Sequence, residues 1–376
     1  MAKIRNLLVL AAAALVFWHF YGDTLQHSGV QGVTEHISSD IETISENPQV
    51  RQIADTIGQG FDYLSDQFLT GQEDPDPPQE TAEQPDLQEP SEQSFSIHNI
   101  EIGDERTTVE EQAGEPQRST LNEYGIEWVA YHENYQNFFM AAYDEQNRVA
   151  GLYTNQDLLS SQAGISMESK REEVQTAVNE EPLEAIRKGF VRYQINSEGE
   201  YDTYSINNNY VTIFYDEHEN NTVTAIQIVT EEMEQEKEKY FAQPSAELNE
   251  GFAYQLFDLT NAARVVHGLA PLTWQENLQQ TAEDHSIDMA ENNYFSHTNP
   301  DGESPFDRME EDDIVFRLAG ENLAAGQPSS IFAHEGLMNS LGHRENKLHE
   351  GFEALAVGIA FNEESQPYYT ENYMAQ

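Results

Sequence analysis

Three polar side chains stand near the C-terminal end of this sequence, each in a segment rich in turn-forming residues. His297 lies in YFSHTNPDGESPFDRM, Glu321 in LAGENLAAG and His343 in GLMNSLGHREN. Gly, Asn, Ser and Pro stop helices and make turns, so each side chain is predicted at an element end, where chains converge. Two imidazoles and a carboxylate are the donors of a Zn²⁺ site or the parts of an acid–base site. Three unrelated surface residues would look the same in a sequence.

If the three act together, a metal-dependent hydrolase is one reading. His297 and His343 would ligate Zn²⁺, and Glu321 would ligate it or act as base on a bound water. No HExxH motif fixes two ligands on one helix. A catalytic zinc usually takes three protein ligands, so Glu321 as the third leaves no separate base. A serine hydrolase has less support: GxSxG is absent, and Ser296 is merely the neighbour of His297. A non-catalytic binding module is the reading favoured over both.

These residues must be positioned by elements of a strongly acidic chain. Over 376 residues, 68 Asp and Glu face 18 Lys and Arg, a formal charge of −50. Such an excess argues against nucleic acid as a partner, because like charge opposes approach. The acids are spread over the whole chain, which suits adaptation to high salt or high pH better than one basic ligand. There is no cysteine, which excludes disulfides, thiolate zinc sites and a lipid-modified N-terminal cysteine. Lys3 and Arg5 precede an apolar run from Leu7 to Tyr21, the pattern of an export signal. Its length suits a cleaved signal peptide. The aromatic cluster Trp18, Phe20, Tyr21 and the lack of a small-x-small site favour an uncleaved membrane anchor. Either way the bulk of the chain is expected outside the cytoplasm.

Apolar residues at steps of three and four, Val33 to Ile44 and Val50 to Phe68, predict an amphipathic helical stalk over 23–72. Residues 73–94 form an acidic, Pro-rich linker expected to be extended and solvated. An internal repeat follows in 95–230. IEIGDERTTVEEQAGEP at 100–116 matches ISMESKREEVQTAVNEEP at 165–182, and FFMAAYDEQNRVAGLYT at 138–154 matches YVTIFYDEHENNTVTAIQIVT at 210–230. Each copy reads as a short helix ending before Pro116 or Pro182, then antiparallel strands closing in a hairpin. Two copies are expected to pack as one α+β domain. EEMEQEKEKYF then opens a charged connecting helix over 231–247. In the last part, 248–376, Leu248 to Ala263 and Leu278 to Met289 mark two helices. His285 on the second is expected to be a hydrogen-bonded packing residue.

Six ordered motifs in 252–376 carry a family resemblance: NAARVVHGLAPLTW, HSIDMAENNYFSH, GEN, MNSLGHREN, AVGIAF and YYTENY. Together they resemble the bacterial form of the CAP superfamily (cysteine-rich secretory protein, antigen 5, pathogenesis-related 1). The region before them is similar to the CAP-associated N-terminal domain of Bacillus-type exported proteins. The resemblance implies an α-β-α sandwich with His297, Glu321 and His343 in one central cleft. It also implies a small molecule, lipid, peptide or divalent metal as ligand, or a cell-envelope partner. Bacterial members often carry Trp at the position of Leu337 and Pro at that of Leu341. Animal and plant members have a second cleft glutamate, and Glu335 stands near that place.

Overall fold

The computed structural model describes residues 82–376 other than Glu238. The expected signal or anchor (1–22), the stalk (23–72) and residues 73–81 of the linker lie outside the described residues. Among the described residues no helix is long and apolar enough to cross a membrane.

The two repeat copies share one sheet. The first copy contributes helix α1 (Arg106–Ala113) and strands β2 (Arg118–Leu121), β3 (Glu127–Glu133), β4 (Gln136–Tyr143) and β5 (Val149–Thr154). The second contributes α2 (Arg171–Val178), β7 (Ala185–Lys188), β8 (Val191–Gln194), β9 (Tyr201–Ile206), β10 (Asn209–Asp216) and β11 (Thr222–Thr230). The order is β2-β3-β4-β5-β11-β10-β9, antiparallel throughout, with β5 against β11 where the copies meet. β1 (Phe95–Ile97) and β6 (Leu159–Ser161) pair apart from it, as do β7 and β8.

Strand periodicity explains why β4 reads NFFMAA without polar alternation. Side chains on successive residues point to opposite faces, and both faces of this sheet are covered. Val129, Tyr131, Phe139 and Ala141 pack with Val109 of α1 and Val174 of α2. Trp128, Ala130, Phe138 and Met140 pack with Leu259, Ala262 and Ile331 from the C-terminal half. At roughly 1.5–3 kcal/mol for each large apolar side chain buried, this seam outweighs any single hydrogen bond across it.

That C-terminal half is an α-β-α sandwich. Its helices are α4 (Ala246–Val266), α5 (Glu276–Asn292), α6 (Pro305–Glu311), α7 (Ser330–Asn339) and α8 (Leu341–Lys347). Its sheet has the order β12 (Thr273–Trp274), β14 (Ala354–Phe361), β15 (Pro367–Ala375), β13 (Leu318–Ala325). Leu278 of α5 and Met309 of α6 pack on Ala354 and Ala356. Phe252 and Leu256 of α4, with Ala333 and Leu337 of α7, pack on Leu355 and Val357 from the other side. α4 also seals the β2 edge of the repeat sheet. Gln255 Nε2 donates to the Leu121 carbonyl at 2.9 Å. A Cβ on Gly251 would fall 2.2 Å from that same oxygen, so only glycine permits the approach.

Two connections depart from expectation. The helix expected over 231–247 is confined to α3 (Glu231–Glu236), capped by Thr230 Oγ1 accepting from the Met233 amide. The next helix starts only at Ala246, because Pro244 and the Ser245 cap set its beginning. Residues 82–94 have no regular helix or strand, yet they are held to the repeat domain. The Glu101 carboxylate accepts from the amides of Ser91, Glu92 and Gln93 at 2.8, 2.9 and 2.5 Å, and Asn99 Oδ1 accepts from the Gln88 amide at 2.7 Å.

Candidate functional site

Glu321 sits in the middle of a strand and not at an element end. β13 pairs with β15 residue for residue: Gly320 opposite Tyr373, Glu321 opposite Asn372 and Asn322 opposite Glu371. The partner strand supplies the ladder that the turn-forming GEN sequence does not announce. Ala319 and Leu323 pack with α5 and α6 residues, so Glu321, which shares their face, points the same way. Its side chain is 1% exposed, a costly place for a charge unless it is paired. Both oxygens are engaged. Oε2 accepts from Arg308 Nη2 at 2.7 Å, and Oε1 is 2.8 Å from His297 Nδ1. An ionised carboxylate only accepts, so Nδ1 carries a proton, and in the neutral ring the lone pair is then on Nε2.

Helix α6 and the buried face of α5 fix this arrangement. Ser304 and Asp307 close a capping box around Pro305, which sets the start of α6 and the direction of Arg308. Arg308 Nη1 also donates to the carbonyls of His297 and Glu303, at 2.9 and 3.1 Å. His285 on α5 holds the preceding residue, with Nε2 3.0 Å from the Ser296 carbonyl. Burial lowers the pKa of His285 below the usual imidazole value. It is therefore a neutral donor to that carbonyl, the packing role expected of it. The His297 ring remains about half exposed on this rigid base.

His343 comes from the other face of the same edge strand. It is the third residue of α8, and its Nδ1 lies 2.7 Å from Ser340 Oγ. Asn322 Nδ2 donates to the His343 carbonyl at 3.0 Å, and Asn346 Nδ2 donates to the Glu321 carbonyl at 3.2 Å. Below them Lys347 and Glu371, both 0% exposed, pair at 2.5 Å. Thr260, Asn322 and Tyr373 complete the hydrogen bonds around that pair. The structure thus joins His297 to Glu321 directly, and brings the His343 backbone to β13 through asparagines.

Among the described residues no group of three or more His, Cys, Asp and Glu side chains comes together as a metal site. With both Glu321 oxygens held, the donors do not fit a three-ligand catalytic zinc. Arg308, which sequence reasoning passed over, is the decisive addition. Its only sequence signal is its place one turn into a capped helix beside the His297 loop.

Glu335 turns away from this cluster towards the repeat domain, where Tyr153 Oη donates to its Oε1 at 2.5 Å. Burial pushes its carboxyl up to about 7. Arg344, next to His343, pairs with Asp216 at 2.7 Å, and Asn339 Nδ2 donates to the Tyr215 carbonyl at 2.9 Å. The repeat domain therefore braces the two helices that lead to His343.

Comparison with known proteins agrees with both halves of this architecture. Residues 102–240 match the family model described as CAP-associated N-terminal, and residues 257–373 that of the cysteine-rich secretory protein family, CAP. The chain carries a CAP-associated N-terminal domain followed by a CAP domain. About a third of the chain is similar to two Bacillus subtilis proteins. One, named uncharacterized membrane protein YlbC, is 43% identical over 120 residues, 32% of this chain and 33% of that one. The other, named uncharacterized protein YkwD, is 38% identical over 122 residues, 32% of this chain and 46% of that one. The matched stretch spans less than half of either relative. An extracellular protein containing an SCP domain from Bacillus anthracis superposes with a TM-score of 0.64 at 25% identity, covering 78% of this chain and 100% of that one. A cysteine-rich secretory protein from Staphylococcus aureus shares the fold, with a TM-score of 0.60 at 13% identity over 77% of this chain and 95% of that one.

Proposed function

We propose that this protein is a non-catalytic, extracytoplasmic binding module of the cell envelope. It acts at the outer face of the membrane through its N-terminal apolar run, or as a secreted protein. Its CAP cleft, with His297, Glu321 and His343, takes a small molecule, lipid or peptide, and the repeat domain serves as a rigid companion. The extracellular SCP-domain neighbour and the membrane-protein name of one relative support the location. The observation that supports the reading is the engagement of both Glu321 oxygens, by Arg308 and His297. A carboxylate held on both oxygens orients an imidazole, and Glu321 is not placed as the base on a metal-bound water that the hydrolase reading requires.

The test has two arms. The purified full chain is incubated with ester and peptide substrates, with and without added Zn²⁺. In parallel, the chain is recovered from its own envelope after cross-linking, and retained molecules are identified by mass spectrometry. The expected result is no turnover and a retained ligand or envelope partner. Zn²⁺-dependent turnover that disappears in His297→Ala would overturn the reading in favour of a hydrolase.

A further inference from the structure

The two repeat copies differ most at one place, the β7–β8 hairpin. In the first copy the strand after the helix, β2, joins the main sheet beside β3. In the second copy the corresponding strand β7 leaves the sheet and pairs with β8 alone. This hairpin reads AIRKGFVRYQI over 185–195, with three basic residues and no acid, in a chain whose formal charge is −50. At its turn Gly189 takes a φ of +57°. The next two residues, Phe190 and Val191, are 111% and 52% exposed.

Its inner face is fastened down. Lys188 pairs with Glu234 at 2.6 Å and donates to the carbonyls of Glu234 and Lys237. Tyr193 stacks on Tyr240 at 6.3 Å. Its outer face carries Arg187 directly opposite Arg192. Like charges opposed across two strands are destabilising, and the nearby acid offsets them weakly. The Arg192–Glu184 contact is 3.2 Å long between exposed groups, a kind of pair worth little. Both arginines line an open recess of about 490 Å³ with Glu184, Ser205 and Tyr210.

We propose that this hairpin is a membrane-docking element that takes anionic phospholipid. Arg187 and Arg192 receive the headgroup phosphate, for which guanidinium geometry is suited. Phe190 and Val191 enter the apolar boundary below the headgroups. An exposed aromatic at the tip of a braced hairpin, flanked by arginines, has the chemistry of an interface anchor. The chain's formal charge of −50 opposes approach to an anionic surface as it opposes nucleic acid, so the contact depends on the hairpin's own basic residues and on the exposed apolar tip. Contact by one short hairpin is weak, and tethering by the N-terminal apolar run raises its effective concentration. The proposal goes beyond the binding-module reading and does not use the CAP cleft.

Because the chain lacks cysteine, Val191→Cys provides a single attachment point for an environment-sensitive fluorophore in the full chain. The labelled chain is reconstituted into vesicles of phosphatidylcholine, with or without one part in three phosphatidylglycerol. The expected result is a blue shift, and quenching by nitroxide-bearing lipid, only when phosphatidylglycerol is present. Reversing both arginines, Arg187→Glu with Arg192→Glu, should lower the quenching at least about fivefold, the effect of losing one basic contact. Both residues are exposed, so the melting temperature should stay unchanged. Phe190→Ser with the same label should weaken insertion while leaving the charge intact. No shift with either lipid would overturn the proposal. So would an equal shift with both lipids that survives charge reversal, since that would show the tip lying near a bilayer through the N-terminal segment alone.

Discussion

Tyr153 donates its phenolic proton to Glu335 across the seam between the CAP-associated domain and the CAP domain, both side chains being buried. The contact makes Glu335 part of the joint between domains and places a titratable group there.

Its titration gives a signed prediction. Burial raises the Glu335 carboxyl to about 7 in the folded protein, with the nearby Asp216 adding to the rise, while Tyr153, Lys347 and Arg344 oppose it. In the unfolded chain it titrates near the ordinary glutamate value of about 4.3. Between those values the unfolded state has lost a proton that the folded state keeps, so this group's contribution to stability falls as pH rises and levels off above about 7. Glu335→Gln keeps an acceptor for Tyr153 and removes the slope. The difference between wild-type and variant unfolding free energies should grow in the variant's favour by on the order of 3 kcal/mol from pH 4.5 to pH 7.5. Denaturant titrations across that range measure it, and parallel curves would refute the assignment.

Arg308→Ala should destabilise the fold by about 3–5 kcal/mol, because it strands a buried carboxylate. Glu321→Gln should cost less, since the amide oxygen still accepts one bond. The double variant should cost less than the sum of the two. Additive costs in a double-mutant cycle would mean that the pair is not coupled.

Zn²⁺ calorimetry separates ligands from orienting groups. With Glu321 committed to Arg308 and His297, any binding in the cleft should be weak and should fall in His297→Ala and His343→Ala. It should strengthen as pH rises, because imidazole ligates only when neutral. Glu321→Gln should weaken it about 10–100-fold, the usual effect of removing the partner that orients a ligating histidine. Equal heats from all variants would place the ion on the acidic surface instead.

Gly251→Ala tests the domain seam sterically. Its Cβ would overlap the Leu121 carbonyl oxygen at 2.2 Å, so α4 must move off the β2 edge. A loss of about 1–3 kcal/mol is expected, despite the better helix propensity of alanine. A melting temperature equal to or above that of the wild type would show that the helix can shift at no cost.

Much of the fold was legible in the sequence. The repeat motifs give α1, α2 and the β4–β5 and β10–β11 hairpins, and the apolar steps from Leu248 and Leu278 give α4 and α5, because these signals are local. Non-local pairing was hidden. GEN reads as a turn until β15 is laid beside it. Glu101 gathers three amides of the Pro-rich segment by a contact that no periodicity encodes. The site was half legible. His297 and Glu321 do meet, but Arg308 and the turning of Glu335 towards Tyr153 depend on which helix packs where. The run Phe138–Tyr143 did hold an unused clue: a strand apolar at every position needs cover on both faces.

That two-sided cover has a consequence for how the protein is made. Synthesis runs from the N-terminus, so the seven-stranded sheet is complete once Thr230 has emerged. Leu259, Ala262 and Ile331, which close over Trp128, Phe138, Tyr153 and Phe214, come later. Until they arrive, a newborn chain presents a greasy, aromatic surface to its surroundings. The tandem order of the two domains therefore sets an interval of vulnerability, during which a chaperone or rapid delivery of the remaining chain must stand in for the missing half.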